Sequence, residues 1–225
     1  MTGFINYLIN GISLGSVYAI IALGYTMVYG IAKMLNFAHG DIIMVGSYVV
    51  FITTHSMGMP VFLSVLLSVI VCTVLGIVIE RVAYKPLRDA SPLSVLITAI
   101  GVSYLLQQVA QLAWTSNPKS FTSVVSGLKP ISLFGGQLTI SAETVVTIIA
   151  CIVIMVVLIW FVNNTPAGHA MLAVSEDRGA AQLMGVNVNA TISLTFAIGS
   201  ALAAVAGALL CSSYPTLQPT PPAPC

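Results

Sequence analysis

Long stretches without a charged residue constrain this chain more than any other feature. Residues 1–32 contain no Asp, Glu, Lys or Arg, and the same is true of residues 42–79, 90–118, 144–162 and 190–212. The hydrocarbon core of a bilayer is about 30 Å thick and takes about 20 helical residues to cross. Because these runs are continuous and do not alternate in segments of about ten residues, they predict membrane helices rather than membrane strands.

The charge content excludes the other broad classes of protein. Only 6% of the residues are charged, whereas an ordinary soluble domain carries about 25%. With 58% hydrophobic residues, the chain is too apolar to be disordered. A net charge of +1 provides no field that would gather nucleic acid. We therefore predict an all-α, multi-pass bundle of transmembrane helices in contact with membrane lipid.

The apolar runs predict about six spans. Residues 42–79 are too many for one crossing, and we divide them at residues 55–60, which include Gly58 and Pro60. The first part spans only if its helix starts near Asn36; if it is re-entrant, the count is five. With six spans, five of the seven basic residues fall on one side, which the positive-inside rule makes cytoplasmic, with the N-terminus external. These five are Lys33, Arg81, Lys85, Arg88 and Arg178.

Small residues recur every fourth position in two of the predicted spans. Gly11 and Gly15 lie on one face of the first span, and Gly199, Ala203 and Gly207 on one face of the last. This spacing lets helix backbones approach closely in lipid. We expect these residues to pack helices together, although small residues are also simply common in membrane helices.

A polar stretch at residues 163–189 contains a predicted short helix over residues 175–185. Ser175 is a good N-cap, Glu176 and Asp177 would occupy the first turn, and Gly185 lies where a helix commonly ends. One face carries the apolar residues Ala180, Leu183 and Met184 at helical spacing. Such a helix either docks into a groove on another protein or rests on the bilayer surface.

Two groups of polar residues stand within or next to the spans. Residues 36–41 include Asn36, His39 and Asp41, which either line a pathway or form an interfacial turn capped by Asn36. Gln107 and Gln111 share a helix face with each other, and Ser103 shares one with Gln107. These side chains either line a polar path or bind neighbouring helices by amide hydrogen bonds.

The sequence shows no catalytic or metal-binding signature. It contains no HExxH, GxSxG or P-loop motif, its three histidines are far apart, and no two of its four cysteines form a CxxC pair. We predict no catalytic residue, no metal and no cofactor, and a chain that cannot bind or hydrolyse ATP by itself.

Four stretches give the chain a family resemblance, at residues 14–30, 35–41, 80–88 and 168–187. The second contains Asn-Phe-Ala-His-Gly from Asn36, and the fourth contains Ser-Glu-Asp-x-x-Ala-Ala-x-Leu-Met-Gly-Val-Asn from Ser175. In order and spacing these stretches resemble the membrane permeases of branched-chain amino acid ABC importers, the LivH/LivM type, and LivH more than LivM. The resemblance runs from about residue 4 to Thr220.

The resemblance implies a function in a larger assembly. Such permeases pair as two membrane subunits with two cytoplasmic ATPase subunits in the bacterial inner membrane, and a periplasmic binding protein delivers leucine, isoleucine or valine. In that arrangement the helix over residues 175–185, including Ala181, would be the coupling helix seated in an ATPase groove. Asn36 and His39 would lie at a broken or re-entrant element near the translocation path.

The end of the chain departs from the family pattern. Members usually continue with a glycine-rich stretch and further spans, whereas residues 221–225 contain three prolines. We therefore expect residues 1–220 to be an incomplete permease domain and residues 221–225 to be a tail foreign to the family.

Three alternative functions remain open from the sequence. One is a permease of the same family for urea or short-chain amides. The others are a channel-like membrane module that works without ATPases and a non-catalytic assembly subunit.

Overall fold

Four of the five long apolar runs each form one long helix, and the run at residues 42–79 forms two. A backbone in lipid must satisfy its hydrogen bonds internally, which favours helices. In the computed structural model, residues 2–88, 90–114, 119–120, 131–133, 138–213 and 216–217 are described. Five helices within these residues are long and apolar enough to cross a membrane. They are α1 (Thr2–Ala32), α3 (Val61–Ile79), α4 (Pro92–Trp114), α5 (Ala142–Asn164) and α8 (Val188–Ser213).

Shorter elements connect the long helices. α2 (His39–Phe51) continues into a wide π-helical turn (Ile52–Ser56), and α3 continues through a second π-helical turn (Glu80–Tyr84) into a 3-10 turn (Lys85–Leu87). α6 (Pro166–Glu176) and α7 (Arg178–Leu183) lie between α5 and α8. Two short antiparallel pairs complete the described elements: β1 (Lys119–Ser120) with β4 (Thr216–Leu217), and β2 (Ile131–Leu133) with β3 (Leu138–Ile140).

Contacts between helix ends show how the chain traverses the bundle. Arg178 donates a hydrogen bond to the Ala32 carbonyl at the end of α1, and Arg88, just beyond α3, binds Asn189 at the start of α8. At the opposite end, the rings of Tyr48 in α2 and Trp114 in α4 stack 4.7 Å apart. The end formed by α7 and by the last residues of α1 and α3 carries Lys33, Arg81, Lys85, Arg88 and Arg178; we call it the basic end.

The division of residues 42–79 agrees with the sequence prediction, but α2 differs from the other spans. α2 begins at His39 and is not among the five helices with the length and hydropathy of a span. The chain nevertheless passes between the two ends six times, because the non-helical segment at residues 33–38 completes the distance that α2 does not cover. Five helices are long enough to span a membrane, which matches the count in the re-entrant alternative. The chain still alternates between the two ends as the six-span prediction expects.

α8 lies at the centre of the bundle. Of its most apolar 18 residues 67% are buried, against 11% for α5. Its small residues allow this position: a Cβ atom added to Gly207 would lie 2.6 Å from the Ile43 carbonyl oxygen of α2, and one added to Gly199 would lie 2.8 Å from Cγ2 of Val28 in α1. Ala203 is fully buried between them.

The matching stripe on α1 packs against no other helix within the described part of the chain. Gly11 and Gly15 are exposed, and a Cβ atom added at either position would meet no atom within 4 Å. Gly11 and Gly15 therefore make no helix-packing contact among the described residues, and their role in packing helices stays a prediction. The spacing of small residues is the same in both stripes, but α1 turns Val17 and Ile20 inward instead.

Candidate functional site

The predicted short helix at the basic end is shorter than its sequence pattern suggested. Ser175 and Glu176 belong to the last turn of α6, where the Ser175 hydroxyl donates to the Leu172 carbonyl. Asp177 is the N-cap of α7, and its Oδ1 accepts hydrogen bonds from the backbone N–H groups of Gly179 (2.7 Å) and Ala180 (3.0 Å). Ser175 is therefore not the N-cap, and Glu176 and Asp177 are not in the first turn.

The cap moves because α6 extends further than the sequence indicated. Met171 and Val174 of α6 are each only 1% exposed, so their burial holds this helix against the bundle as far as Glu176. Asp177 then adopts an extended backbone (φ −148°, ψ 114°) that separates the two helices.

α7 presents an apolar surface away from the bundle. Leu183 is 90% exposed, Met184 is 84% exposed, and Ala180 on the same side is also exposed. We call these three residues the α7 patch. Gly185 follows with φ +86°, a left-handed conformation that suits glycine and ends the helix.

Ala181 faces the opposite way. Its side chain is 4% exposed and packs in the main hydrophobic core of the bundle, so it does not belong to a surface that a partner would contact. This corrects the sequence-based grouping of Ala181 with the docking residues. Neighbouring positions on a helix point in directions about 100° apart, and only the tertiary packing determines which of them faces inward.

A buried polar network fixes the helices beneath the α7 patch. Glu80 is completely buried, forms an ion pair with Arg88, and accepts a hydrogen bond from the Ser193 hydroxyl at 2.7 Å. Arg88 also donates to Asn189 Oδ1. α3, the turn that follows it and the start of α8 are thereby joined, while Arg178 joins α7 to the end of α1.

The polar residues of the non-helical segment at residues 33–38 and of α2 lie well inside the bundle. The His39 ring meets Tyr25 of α1 edge-on, with centroids 6.1 Å apart, and a Cβ atom added to Gly24 would lie 2.9 Å from His39 Cε1. Gly24 precedes the end of α1 by eight residues, or about 12 Å along the helix axis. The first turn of α2, which contacts Gly24, therefore also lies about 12 Å below the basic end.

Asp41 brings together the two groups of polar residues found in the sequence. Its Oδ1 accepts a hydrogen bond from Gln107 Nε2 at 3.0 Å, and Gln107 also donates to the Ser103 hydroxyl at 3.3 Å. This contact between α2 and α4 corresponds to the helix-binding alternative for Gln107. Gln111 lies one turn further along α4, half-buried, and takes no part in the network.

Two buried atoms in this region have no hydrogen-bond partner among the residues that the structure describes. They are Nε2 of His39 and Oδ2 of Asp41, in side chains that are 3% and 7% exposed. Asn36, by contrast, accepts a hydrogen bond from the Tyr84 hydroxyl at 3.0 Å. Unpaired polar atoms inside a membrane bundle are costly and are typical of places where a polar solute or water passes.

The sequence does not indicate that Tyr84 binds Asn36, or that Glu80 binds Arg88 and Ser193. The available signal is Glu80 itself, because a glutamate directly after an apolar run suggests a paired charge. Within the described residues, no group of three or more His, Cys, Asp or Glu side chains is placed to hold a metal ion.

Comparison with known proteins gives a consistent result. The family model described as "Branched-chain amino acid transport system / permease component" matches residues 7–222. The permease protein BraD of a high-affinity branched-chain amino acid transport system from Pseudomonas aeruginosa is 40% identical over 96% of this chain and 73% of its own length. The corresponding LivH proteins of Salmonella typhimurium and Escherichia coli K12 are 40% and 39% identical with the same coverage. No solved structure matches the chain.

Proposed function

This chain belongs to the branched-chain amino acid transport system permease family, and on that premise we propose that it forms the translocation path of an ABC importer for leucine, isoleucine and valine. In this proposal it is a multi-pass subunit of the bacterial inner membrane that pairs with a second permease subunit. A periplasmic binding protein delivers the substrate. Two cytoplasmic ATPase subunits supply the energy, as the resemblance to permeases of ABC importers implies.

The α7 patch is the observation that supports ATP-driven transport over a channel or an assembly subunit. Large apolar side chains that are 84–90% exposed are unusual on a polar connection and suit a protein–protein contact. The patch lies at the basic end, which the positive-inside rule makes cytoplasmic. A channel that works without ATPases has no need for such a surface.

The connections of α7 suit it to transmit force. Arg178 at its first turn is bonded to the end of α1, and Ala181 is packed in the core. A movement imposed on the α7 patch would therefore be passed to α1 and to the core. We propose that closure of the ATPase subunits acts on the permease in this way.

We also propose that the path passes the first turn of α2. Asn36 lies on the non-helical segment, His39 on α2, and Gln107 and Gln111 on the facing side of α4. The unpaired atoms of His39 and Asp41 are at the same depth. A helix that begins inside the membrane exposes unpaired backbone N–H groups to a solute, as in other transporters with broken helices.

The experiment that tests the coupling role replaces Leu183 by Ala and measures binding to the ATPase subunits. Loss of the buried part of a leucine side chain is worth about 2 kcal/mol, so we expect binding about 30-fold weaker. The matched control is Gln182→Ala, an adjacent exposed residue outside the patch. Equal ATPase affinity of Leu183→Ala and the wild-type chain would contradict the proposal.

A further inference from the structure

We propose that a groove between the end of α3 and the start of α8 binds one anionic phospholipid from the leaflet at the basic end. The groove has a volume of about 560 Å³ and opens on the side of the bundle. Its lining is divided by depth into a polar part and an apolar part, and this division identifies the ligand.

The polar part carries two basic side chains and two amides. Arg81 and Lys85 are one helical turn apart, both are exposed, and neither forms an ion pair with any described residue. Asn187 and Asn189 face them from the start of α8. This group has the positive charge and the hydrogen-bond donors that a phosphate requires.

The amide donors are available because the amide oxygens are already engaged. Asn187 Oδ1 accepts a hydrogen bond from the Ala190 backbone N–H at 3.1 Å, and Asn189 Oδ1 accepts one from Arg88. Each side chain is therefore oriented with its NH₂ group free for another acceptor. The positive end of the α8 dipole favours an anion at the same place.

The apolar part continues from the polar part toward the middle of the bundle. Ile77 lies one turn before Arg81 on α3, and Leu194 and Ala197 lie one and two turns beyond Ala190 on α8. A free phosphate ion would gain nothing from these side chains, whereas an acyl chain would cover them. The order of charge followed by hydrocarbon matches a phospholipid lying against the side of the bundle.

The local charge favours an anionic over a zwitterionic headgroup. Among the described residues no carboxylate lines the groove, and the nearby Glu80 is buried and paired with Arg88 and Ser193. The cytoplasmic leaflet, which the positive-inside rule assigns to this end, carries anionic lipids that attract basic side chains near the surface.

The test uses the full 225-residue chain, purified in mild detergent and titrated with phosphatidylglycerol or phosphatidylcholine. Native mass spectrometry measures the lipid retained. We expect the wild-type chain to retain phosphatidylglycerol in preference to phosphatidylcholine, and each of Arg81→Gln and Lys85→Gln to weaken its binding about fivefold. Lys33→Gln removes a cation from the same end outside the groove and is expected to leave binding unchanged.

A second variant separates a lipid from a free phosphate. Ala197→Trp fills the apolar part without a change of charge and is expected to lower phosphatidylglycerol binding, while inorganic phosphate does not displace the lipid from the wild-type chain. Helix content by circular dichroism verifies that each variant is folded.

Four results would overturn the proposal. One is equal retention of the two lipids by the wild-type chain, and another is an equal loss of binding in Lys33→Gln. The third is displacement of the lipid by inorganic phosphate together with no effect of Ala197→Trp. Loss of ATPase binding in Arg81→Gln with unchanged lipid binding would assign the groove to a protein partner instead.

Discussion

Replacement of Glu80 tests whether the buried network at the basic end stabilises the bundle. Glu80 is 0% exposed and has two partners, Arg88 and Ser193. Glu80→Leu would leave the Arg88 guanidinium, whose side chain is 10% exposed, without its counter-charge. Breaking a buried ion pair by removing one partner costs about 3–5 kcal/mol, and the Ser193 hydroxyl loses an acceptor worth about 1 kcal/mol.

The double variant Glu80→Leu/Arg88→Leu isolates the contribution of the pair. With both charges removed, no uncompensated charge remains in the bundle, and replacement of a buried pair by apolar residues is often nearly neutral. We therefore expect the double variant to be less destabilised than the sum of the two single variants, by at least about 2 kcal/mol. Loss of the Arg88–Asn189 bond is expected to leave a smaller residual cost.

The assay is reversible unfolding in mixed micelles, followed by circular dichroism, for the wild-type chain, both single variants and the double variant. The matched control is Glu176→Leu, an exposed glutamate at the end of α6, which is expected to change stability by no more than about 0.5 kcal/mol. A Glu80→Leu variant as stable as this control, or effects that are strictly additive, would refute the reasoning.

Two further predictions concern helix packing and the translocation path. Gly207→Val should destabilise the bundle by about 1–3 kcal/mol, because its new Cβ would lie 2.6 Å from the Ile43 carbonyl oxygen. Gly11→Val should leave the same unfolding measurement unchanged. Equal effects of the two variants would contradict the packing described for α8. Gln111→Leu removes no hydrogen bond of the described network and should lower leucine uptake by the assembled transporter several-fold without a change in unfolding temperature. Gln108→Leu, at an exposed neighbouring position, should leave uptake unchanged. Full uptake with Gln111→Leu would exclude that residue from the path.

The bounds of the helices could be predicted closely from the sequence. The predicted runs at residues 90–118, 144–162 and 190–212 correspond to α4, α5 and α8, and the interruption at residues 55–60 separates α2 from α3. This works because each membrane helix satisfies its own backbone hydrogen bonds, so the position of a helix depends mainly on its own residues. The apolar face of α7 could also be predicted, because helical spacing alone places Ala180, Leu183 and Met184 together.

The N-cap of α7 shows where local reasoning was insufficient. Ser175 and Asp177 are both good N-cap residues, and the sequence around them does not distinguish between the two. The burial of Met171 and Val174 against the bundle extends α6 past Ser175 and leaves Asp177 to begin the next helix.

A bundle of membrane helices with a basic end and a short apolar helix surface follows from the amino-acid sequence alone. Which side chains meet depends on the packed bundle: Asp41 and Gln107 are 66 residues apart in the chain, Glu80 and Ser193 are 113 apart, and Ala32 and Arg178 are 146 apart. Contacts over such distances depend on how each helix is rotated and how deep it lies. Gly11 and Gly207 belong to stripes of identical spacing, yet one faces open space and the other touches α2, because periodicity defines a helix face but not what lies against it.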